Sequence, residues 1–404
     1  MKSYFSVKKE AIILYDFDRE VDRSNTNSIK WDKREEVFNT AEVIPLWVAD
    51  ADWPTAPEVI EALQQRVEHG VFGYTFAGEE YKETVQEWYE RRYGWEIKKD
   101  WIVFLNGVMP GMHLALRSLK KNSFKALIQP PVYFPFFKAV RKSGLKVVEN
   151  PLQYKKDSGF ILDLDDLSAK INNQSPDFLL FCSPHNPVGR VWEEEELLKV
   201  YEICQKNGVI IISDEIHGDF VFDKNFTPLA SIVPDDQPGI ITLNSPSKTF
   251  NIAGLQIAYA IIPGVGLRRS FKNSLTGIMP HPGPLALEAL RAAYREGEDW
   301  LEAQLQYLRG NIRAVREIIA EIPGVKAAEP EGTYLMWLDF SETGLEEKEI
   351  EDRLYHRARA GLQPGRWFGT GGSKFYRLNL ATSRKRLVKA LESIADNLDS
   401  RGFN

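Results

Sequence analysis

Four apolar runs in this chain end close to side chains that can do chemistry. Ile240-Ile241-Thr242-Leu243 leads into Ser245-Pro246-Ser247-Lys248, and Val209-Ile210-Ile211-Ile212 leads into Asp214-Glu215-Ile216-His217. Phe178-Leu179-Leu180-Phe181 precedes Asn186-Pro187, and Ala126-Leu127-Ile128 precedes Tyr133. Short apolar runs bounded by turn residues read as buried strands. An amine, a carboxylate, an amide and a flat aromatic ring therefore stand at strand mouths. Each alone has a plain explanation. Most lysines are solvated, a buried Asp can cap a helix or pair within the fold, and an Asn-Pro turn or a turn tyrosine needs no ligand.

Their convergence points further. Lysine, acid, amide, aromatic face and anion-binding turn are the parts a protein must supply to hold and tune pyridoxal phosphate. Asp214 would then face the ring nitrogen, raise its pKa and keep it protonated, so that the ring withdraws electrons. Asn186, and His217 if it is not simply a polar core residue, could reach the phenolic oxygen. Tyr133 could stack on the ring. Gly107-Val108-Met109, between a strand and a helix, offers free N–H groups of the kind that bind phosphate at helix N-termini. Ser245 and Ser247 add hydroxyls beside Lys248. His113 and His185 read as structural.

The elements that must position these groups follow a strand–turn–helix rhythm from Trp101 onward. Seven β-branched, nearly continuous apolar runs, ending with Ile257-Ala258-Tyr259-Ala260-Ile261-Ile262, suit a mostly parallel sheet covered on both faces by helices. Helices are expected at Pro57 to Glu68, with Val59, Ile60, Leu63 and Val67 on one face, and at Glu79 to Tyr93, stopping at Gly94. Others are expected from Met112 to about Lys120, from Glu193 to Asn207 and over 285–320, with Gly297 and Gly310 as interruptions. Pro45 to Pro54 reads as a short strand broken by acids and proline. The tail alternates: strand 333–338, helix 347–360, strand 375–380, helix 385–398. The expected fold is α/β, with residues 46–285 as a large domain and 1–45 together with 286–404 as a smaller α+β domain.

Bulk composition narrows the class. Hydrophobic residues make up 43% of the 404 and charged residues 27%, ordinary for a soluble globular protein. A net charge of −6 argues against a nucleic-acid partner, which favours a concentrated basic face. No stretch approaches the ~18 apolar residues of a membrane span. Residues 1–10 lack the apolar core and cleavage pattern of a signal peptide. Cys182 and Cys204 sit in apolar surroundings without metal-ligand spacing, so no metal is expected and a reduced, cytoplasmic protein is the simpler reading.

In this order, Gly107-Val108-Met109, Tyr133, Asn186-Pro187, Asp214-Glu215-Ile216-His217, Ser245-Pro246-Ser247-Lys248 and Arg377 resemble the fold-type-I, aspartate-aminotransferase-like pyridoxal-phosphate enzymes. The resemblance runs from about Pro45 to the C-terminus. Trp47-Val48-Ala49-Asp50-Ala51-Asp52, Val71-Phe72-Gly73-Tyr74, Lys248-Thr249-Phe250-Asn251, Pro364-Gly365 and Tyr376-Arg377-Leu378-Asn379 are similar to the MalY/PatB cystathionine β-lyase branch.

The resemblance implies roles. Lys248 would bond the cofactor and later move the substrate's α-proton, with Asp214 and Tyr133 as its catalytic partners at the ring. Arg377, otherwise a plain strand-edge arginine, would grip the substrate carboxylate, a bidentate task suited to guanidinium. Asn186 and Ala49 would also touch substrate. Tyr74 would reach the phosphate of a neighbouring subunit, making a homodimer with composite sites. Many aminotransferases carry an arginine eight residues after the lysine and a tyrosine at the histidine position; this chain has Gln256 and His217. Both departures favour β-elimination from L-cystathionine or another cysteine S-conjugate over transamination with a 2-oxo acid. A non-catalytic pyridoxal-phosphate-binding regulator is the alternative of another class, against which Lys248 and Arg377 both speak. Trp47, Trp53, Phe72, Phe76, Trp367 and Phe368 either line an apolar mouth for the sulfur substituent or fill the core and a dimer contact.

Overall fold

The computed structural model describes residues 15–121, 123–155, 159–234 and 239–398. The signal-peptide reading of residues 1–10 lies outside the described residues.

A seven-stranded sheet forms the centre. Its strands lie in the order Ile102–Leu105, Ala258–Ile261, Ile240–Asn244, Ile210–Asp214, Phe178–Cys182, Lys125–Ile128 and Lys146–Glu149. Ala258–Ile261 runs antiparallel to both neighbours and the other pairings are parallel. Three of the inner strands, Phe178–Cys182, Ile210–Asp214 and Ile240–Asn244, are buried along their whole length. That explains their unbroken apolar sequence, since helices cover both faces. A second sheet of Lys326–Ala328, Leu335–Asp339, Phe375–Asn379 and Gln363–Pro364, in that order, is antiparallel.

The helices follow from local signals. Glu79–Tyr93 ends at Gly94, whose φ of +64° favours glycine. Glu194–Lys206 opens with a capping box between Glu193 and Glu196. Gly297 separates Pro284–Glu296 from Glu298–Ala320, whereas Gly310 stays inside the second helix, with the Arg384 side chain lying against it.

Several expectations need correction. Only Ile44–Pro45 of the stretch near Trp47 is a strand, paired in parallel with Ala360–Gly361; residues 46–53 cross the molecule as irregular backbone. The helix expected from Met112 begins at Val108. Pro110 fits its first turn because the N–H it lacks would have no intrahelical partner there. The helix expected over 347–360 is α-helical for Glu347–Asp352 only, then widens to a π-turn at Arg353–Arg357. On Pro57–Glu68, Val59 is buried but Ile60 and Val67 are exposed, so that face is not covered within one chain. Charge-rich or short helices at Pro135–Lys142, Leu164–Gln174 and Val265–Leu275 escaped the pattern reading. Among the described residues, no helix is long and apolar enough to cross a membrane.

Candidate active site

The parallel strands of the central sheet deliver their carboxyl ends to one crevice, the place where open α/β sheets bind ligands. Asp214 closes the Ile210–Asp214 strand, while Asn186 and Lys248 lie just past Phe178–Cys182 and Ile240–Asn244. Gly107 follows Ile102–Leu105, and Tyr133 lies beyond Lys125–Ile128. All five line one cavity of about 220 Å³, together with Val108, Met109, His217 and Ala49. Pro110, Cys182 and Ile216 complete its wall.

Lys248 sits in a one-turn helix, Pro246–Thr249, set by Ser245 as N-cap and Pro246 at the first position. Its Nζ donates to the Ala49 carbonyl at 2.6 Å. Burial pushes its pKa down to about 8; the Asp50 and Asp214 carboxylates pull it up and Arg377 pushes it further down. A lysine so placed can deliver a neutral amine near neutral pH, as a base or nucleophile must.

Asp214 is buried, and burial pushes its carboxyl up to about 6 against the Ile216 amide, which donates to Oδ1 at 3.2 Å, and the charge of Lys248. Among the described residues no lysine or arginine lies within ion-pair distance of it, so a cationic partner is missing. His217 is buried with Nδ1 unpartnered, and burial holds its imidazole neutral by pulling its pKa well below the usual value, with Lys248 and Arg377 adding to the effect.

Arg377, on the Phe375–Asn379 strand, brings the second sheet to the site. Its Nη1 donates to Asn186 Oδ1 at 2.8 Å and its Nη2 to the Trp47 carbonyl at 2.8 Å, and it lies over the Phe368 ring at 5.0 Å. With Asn186 Oδ1 committed, the Asn186 amide nitrogen is left for an acceptor in the cavity. Burial lowers the Arg377 pKa to about 10, and Nε has no partner. A buried cation without a carboxylate among the described residues is a receptor for one.

The fit to pyridoxal phosphate can be tested on these atoms. Asp214 lacks the cation that a protonated pyridine nitrogen would provide. The Asn186 amide nitrogen and the orphaned His217 ring offer polar atoms to a phenolic oxygen. The first turn of the eleven-residue helix Val108–Ser118 offers unpaired N–H groups for a phosphate, with Gly107 at φ +154° letting the chain turn into it. Tyr133 offers a ring face in the cavity wall. The donor set fits the group.

Ser245 Oγ donates to the Ile257 carbonyl at 2.5 Å and accepts from the Ser247 amide at 3.0 Å, so it is committed as a cap. Neither serine lines the cavity. Tyr74 is fully exposed on the extended segment 71–78. Gln256 is exposed too, at a left-handed turn. Of the aromatic residues near the presumed mouth, Trp47, Trp53 and Phe368 are core, while Phe72 and Phe76 are exposed. Cys182 and Cys204 are free, buried thiols. Residues that the sequence reading missed are Tyr334, whose hydroxyl donates to the Ala49 carbonyl at 2.9 Å, and Asn379 and Asn251, which bind the backbone on either side of it. Asn251 and Asn379 stand in the motifs around Lys248 and Arg377 but were given no role, and Tyr334 carried no signal beyond its place at the start of an expected strand.

Fold and cavity together define the class: a pyridoxal-phosphate enzyme of fold type I. Residues 41–394 match the aminotransferase class I and II family. The chain is 38% identical to cystathionine beta-lyase PatB of Bacillus subtilis, over 94% of this chain and 98% of that protein. A PLP-bound putative aminotransferase from Clostridium difficile 630 superposes with a TM-score of 0.92 at 40% identity, covering 95% of this chain and all of that one. Cystalysin from Treponema denticola, which contains a pyridoxal 5'-phosphate cofactor, gives 0.90 at 36% identity, over 95% of this chain and 98% of that one. The chain belongs to the aminotransferase class I and II family, within its MalY/PatB-type cystathionine β-lyase branch.

Proposed function

We propose that this enzyme is a carbon–sulfur β-lyase that converts L-cystathionine or related cysteine S-conjugates to a thiol, pyruvate and ammonia. The observation that carries the reading is a buried lysine of lowered pKa in the cavity wall, with a buried arginine hydrogen-bonded to the wall residue Asn186 and without a carboxylate partner among the described residues. PatB, a cystathionine beta-lyase over nearly its whole length alike, supports it.

When bound, pyridoxal phosphate supplies the sink for the electron pair left at the substrate's α-carbon. The chain supplies the rest. Arg377, held by Asn186 and Trp47, orients the substrate carboxylate. Lys248 takes the α-proton at Nζ, and the Ala49 carbonyl is the acceptor on which that amine rests. Asp214, without a competing cation, holds a proton on the ring nitrogen. The β-carbon then releases its thiolate.

Tyr74 is assigned to the phosphate of a partner subunit's cofactor, which makes the working form a homodimer. Support comes from exposure along one stretch of chain: Ile60, Val67, Val71, Phe72 and Phe76, on either side of Tyr74 in sequence, are all exposed apolar side chains of the kind that mark a contact surface. Residues 46–285 are assigned to the cofactor domain and 1–45 with 286–404 to the small domain, and the cytoplasm to the protein as its compartment.

The second reading, an aminotransferase, draws on the Clostridium difficile neighbour, itself described as a putative aminotransferase. Product stoichiometry separates the two. A cysteine S-conjugate should yield thiol and pyruvate in equal amounts; substrate loss that depends on a 2-oxo acid and releases no thiol would contradict the lyase.

A further inference from the structure

Residues 47–51 form a strap whose every carbonyl is held by a side chain. Trp47 O accepts from Arg377 and Val48 O from Asn379. Ala49 O accepts from Lys248 and Tyr334. Asp50 O accepts from Asn379 and Lys30, and Ala51 O from Arg23 and Asn251. The inner side of the strap thus touches the catalytic lysine and the carboxylate clamp. Its outer side is gripped by residues from the N-terminal arm.

That outer grip is ionic and largely buried. Lys30, fully buried, pairs with Asp52 at 3.1 Å and Asp50 at 3.6 Å, and its own carbonyl accepts from Trp47 Nε1 at 3.0 Å. Arg23 pairs with Asp50 at 2.7 Å and Asp52 at 3.0 Å, and Arg386 lies 3.6 Å from Asp52. Burial opposes the charge on Asp52, but Lys30, Trp31 and Arg23 outweigh it and hold its pKa below the usual carboxylate value. Breaking such a pair by removing one partner leaves an uncompensated buried charge, so the network holds its charges together.

We propose that Asp50 and Lys30 are positioning residues that set the proton affinity of the Lys248 nitrogen through the strap. Asp50 follows directly after the carbonyl on which Lys248 rests, and Lys30 with Arg23 offsets its charge from behind. Lys248 is otherwise faced by Asp214 from the central sheet, Arg377 from the second sheet, and the neutral His217, Tyr133 and Tyr334. Asp50 is thus the strap's own anion acting on Lys248, as Asp214 is the sheet's, and the charges that pair with it decide how much of its field Lys248 receives. The proposal rests on Lys248 being the base of the proposed reaction.

Opposite substitutions should act oppositely, because removing an anion lowers a nearby cation's pKa and removing a cation raises it. The test compares Asp50→Asn, Lys30→Met, Arg23→Met and Lys30→Arg holoenzymes. It reads the pH at half-change of the bound cofactor's visible absorbance without substrate, and the acid limb of kcat with L-cystathionine. Asp50→Asn should move both to lower pH and Lys30→Met and Arg23→Met to higher pH, each by about half to one pH unit, a range expected for charges acting through partly screened protein. Lys30→Arg should stay near the wild type. If Lys30→Met does not fold, the opposed pair Asp50→Asn and Arg23→Met still decides. Shifts in one common direction, or none, in a wild type that forms pyruvate would overturn the proposal. A wild type that forms no pyruvate would instead sink the lyase reading, and opposed spectral shifts would then still uphold the strap's role.

Discussion

Lys248 Nζ and the Ala49 carbonyl oxygen, 199 positions apart in the chain, meet at 2.6 Å. The contact ties the Lys248 turn of the central sheet to a strap that also accepts a hydrogen bond from Arg377. On the proposed reaction, base and substrate anchor thus rest on one piece of backbone. This suits a reaction whose rate depends on near-attack geometry.

Lys248→Ala should remove the base while leaving the fold intact. A positioned general base is worth roughly 10²–10⁴-fold, so kcat should fall at least that far, with an unchanged far-ultraviolet circular dichroism spectrum. Retention of a near-normal rate would remove Lys248 from its role.

Arg377→Leu should act on substrate capture. Charge-assisted hydrogen bonds contribute about 1.5–3 kcal/mol, so kcat/KM should drop roughly 10–100-fold. An amine substrate lacking the α-carboxylate, poor with the wild type, should lose little further.

Asp214→Asn should stabilise the cofactor-free protein while ruining the holoenzyme. Burial raises the Asp214 pKa from its unfolded value near 3.8 to about 6, so between these pH values the folded chain binds more protons than the unfolded one. Stability therefore falls as pH rises through that window and stays lowered above it. The asparagine lacks this loss. Its advantage should be absent below about pH 4 and full above about pH 6, on the order of 1–3 kcal/mol in denaturant melts. A variant less stable than wild type at pH 7 would contradict the account.

Gly297→Ala tests the junction between the long helices. A Cβ there would lie 2.7 Å from the Ala293 carbonyl and meet the Phe250 ring, which packs on Trp300 with 5.8 Å between centroids. Overpacking at such a point costs roughly 1–3 kcal/mol. Urea unfolding midpoints measure it.

The sheet was legible because its inner strands, buried on both faces, are largely apolar, and they stood out as runs between helical stretches. Lys248, Asp214, Asn186 and Tyr133 were legible for the same reason, as polar exceptions near the ends of those runs. The start of the Val108–Ser118 helix was not, since Pro110-Gly111 reads as a turn until its place in the first turn is seen. That Ser245 caps the turn of Lys248 was not legible, because a capping hydroxyl and a phosphate ligand look alike in sequence. Residues 47–52 stood out as a motif, but how the strap is held was not legible for a deeper reason: it works through carbonyl oxygens, which every residue carries. Lys30 likewise reads as one more surface charge until its burial is known.

The central claim is tested most directly by counting turnovers. Holoenzyme is mixed with L-cystathionine and no 2-oxo acid, while pyruvate and the cofactor spectrum are followed together. A lyase built on Lys248 forms many pyruvates per site and returns to its starting spectrum. No pyruvate, with a single spectral conversion that only an added 2-oxo acid reverses, would contradict it.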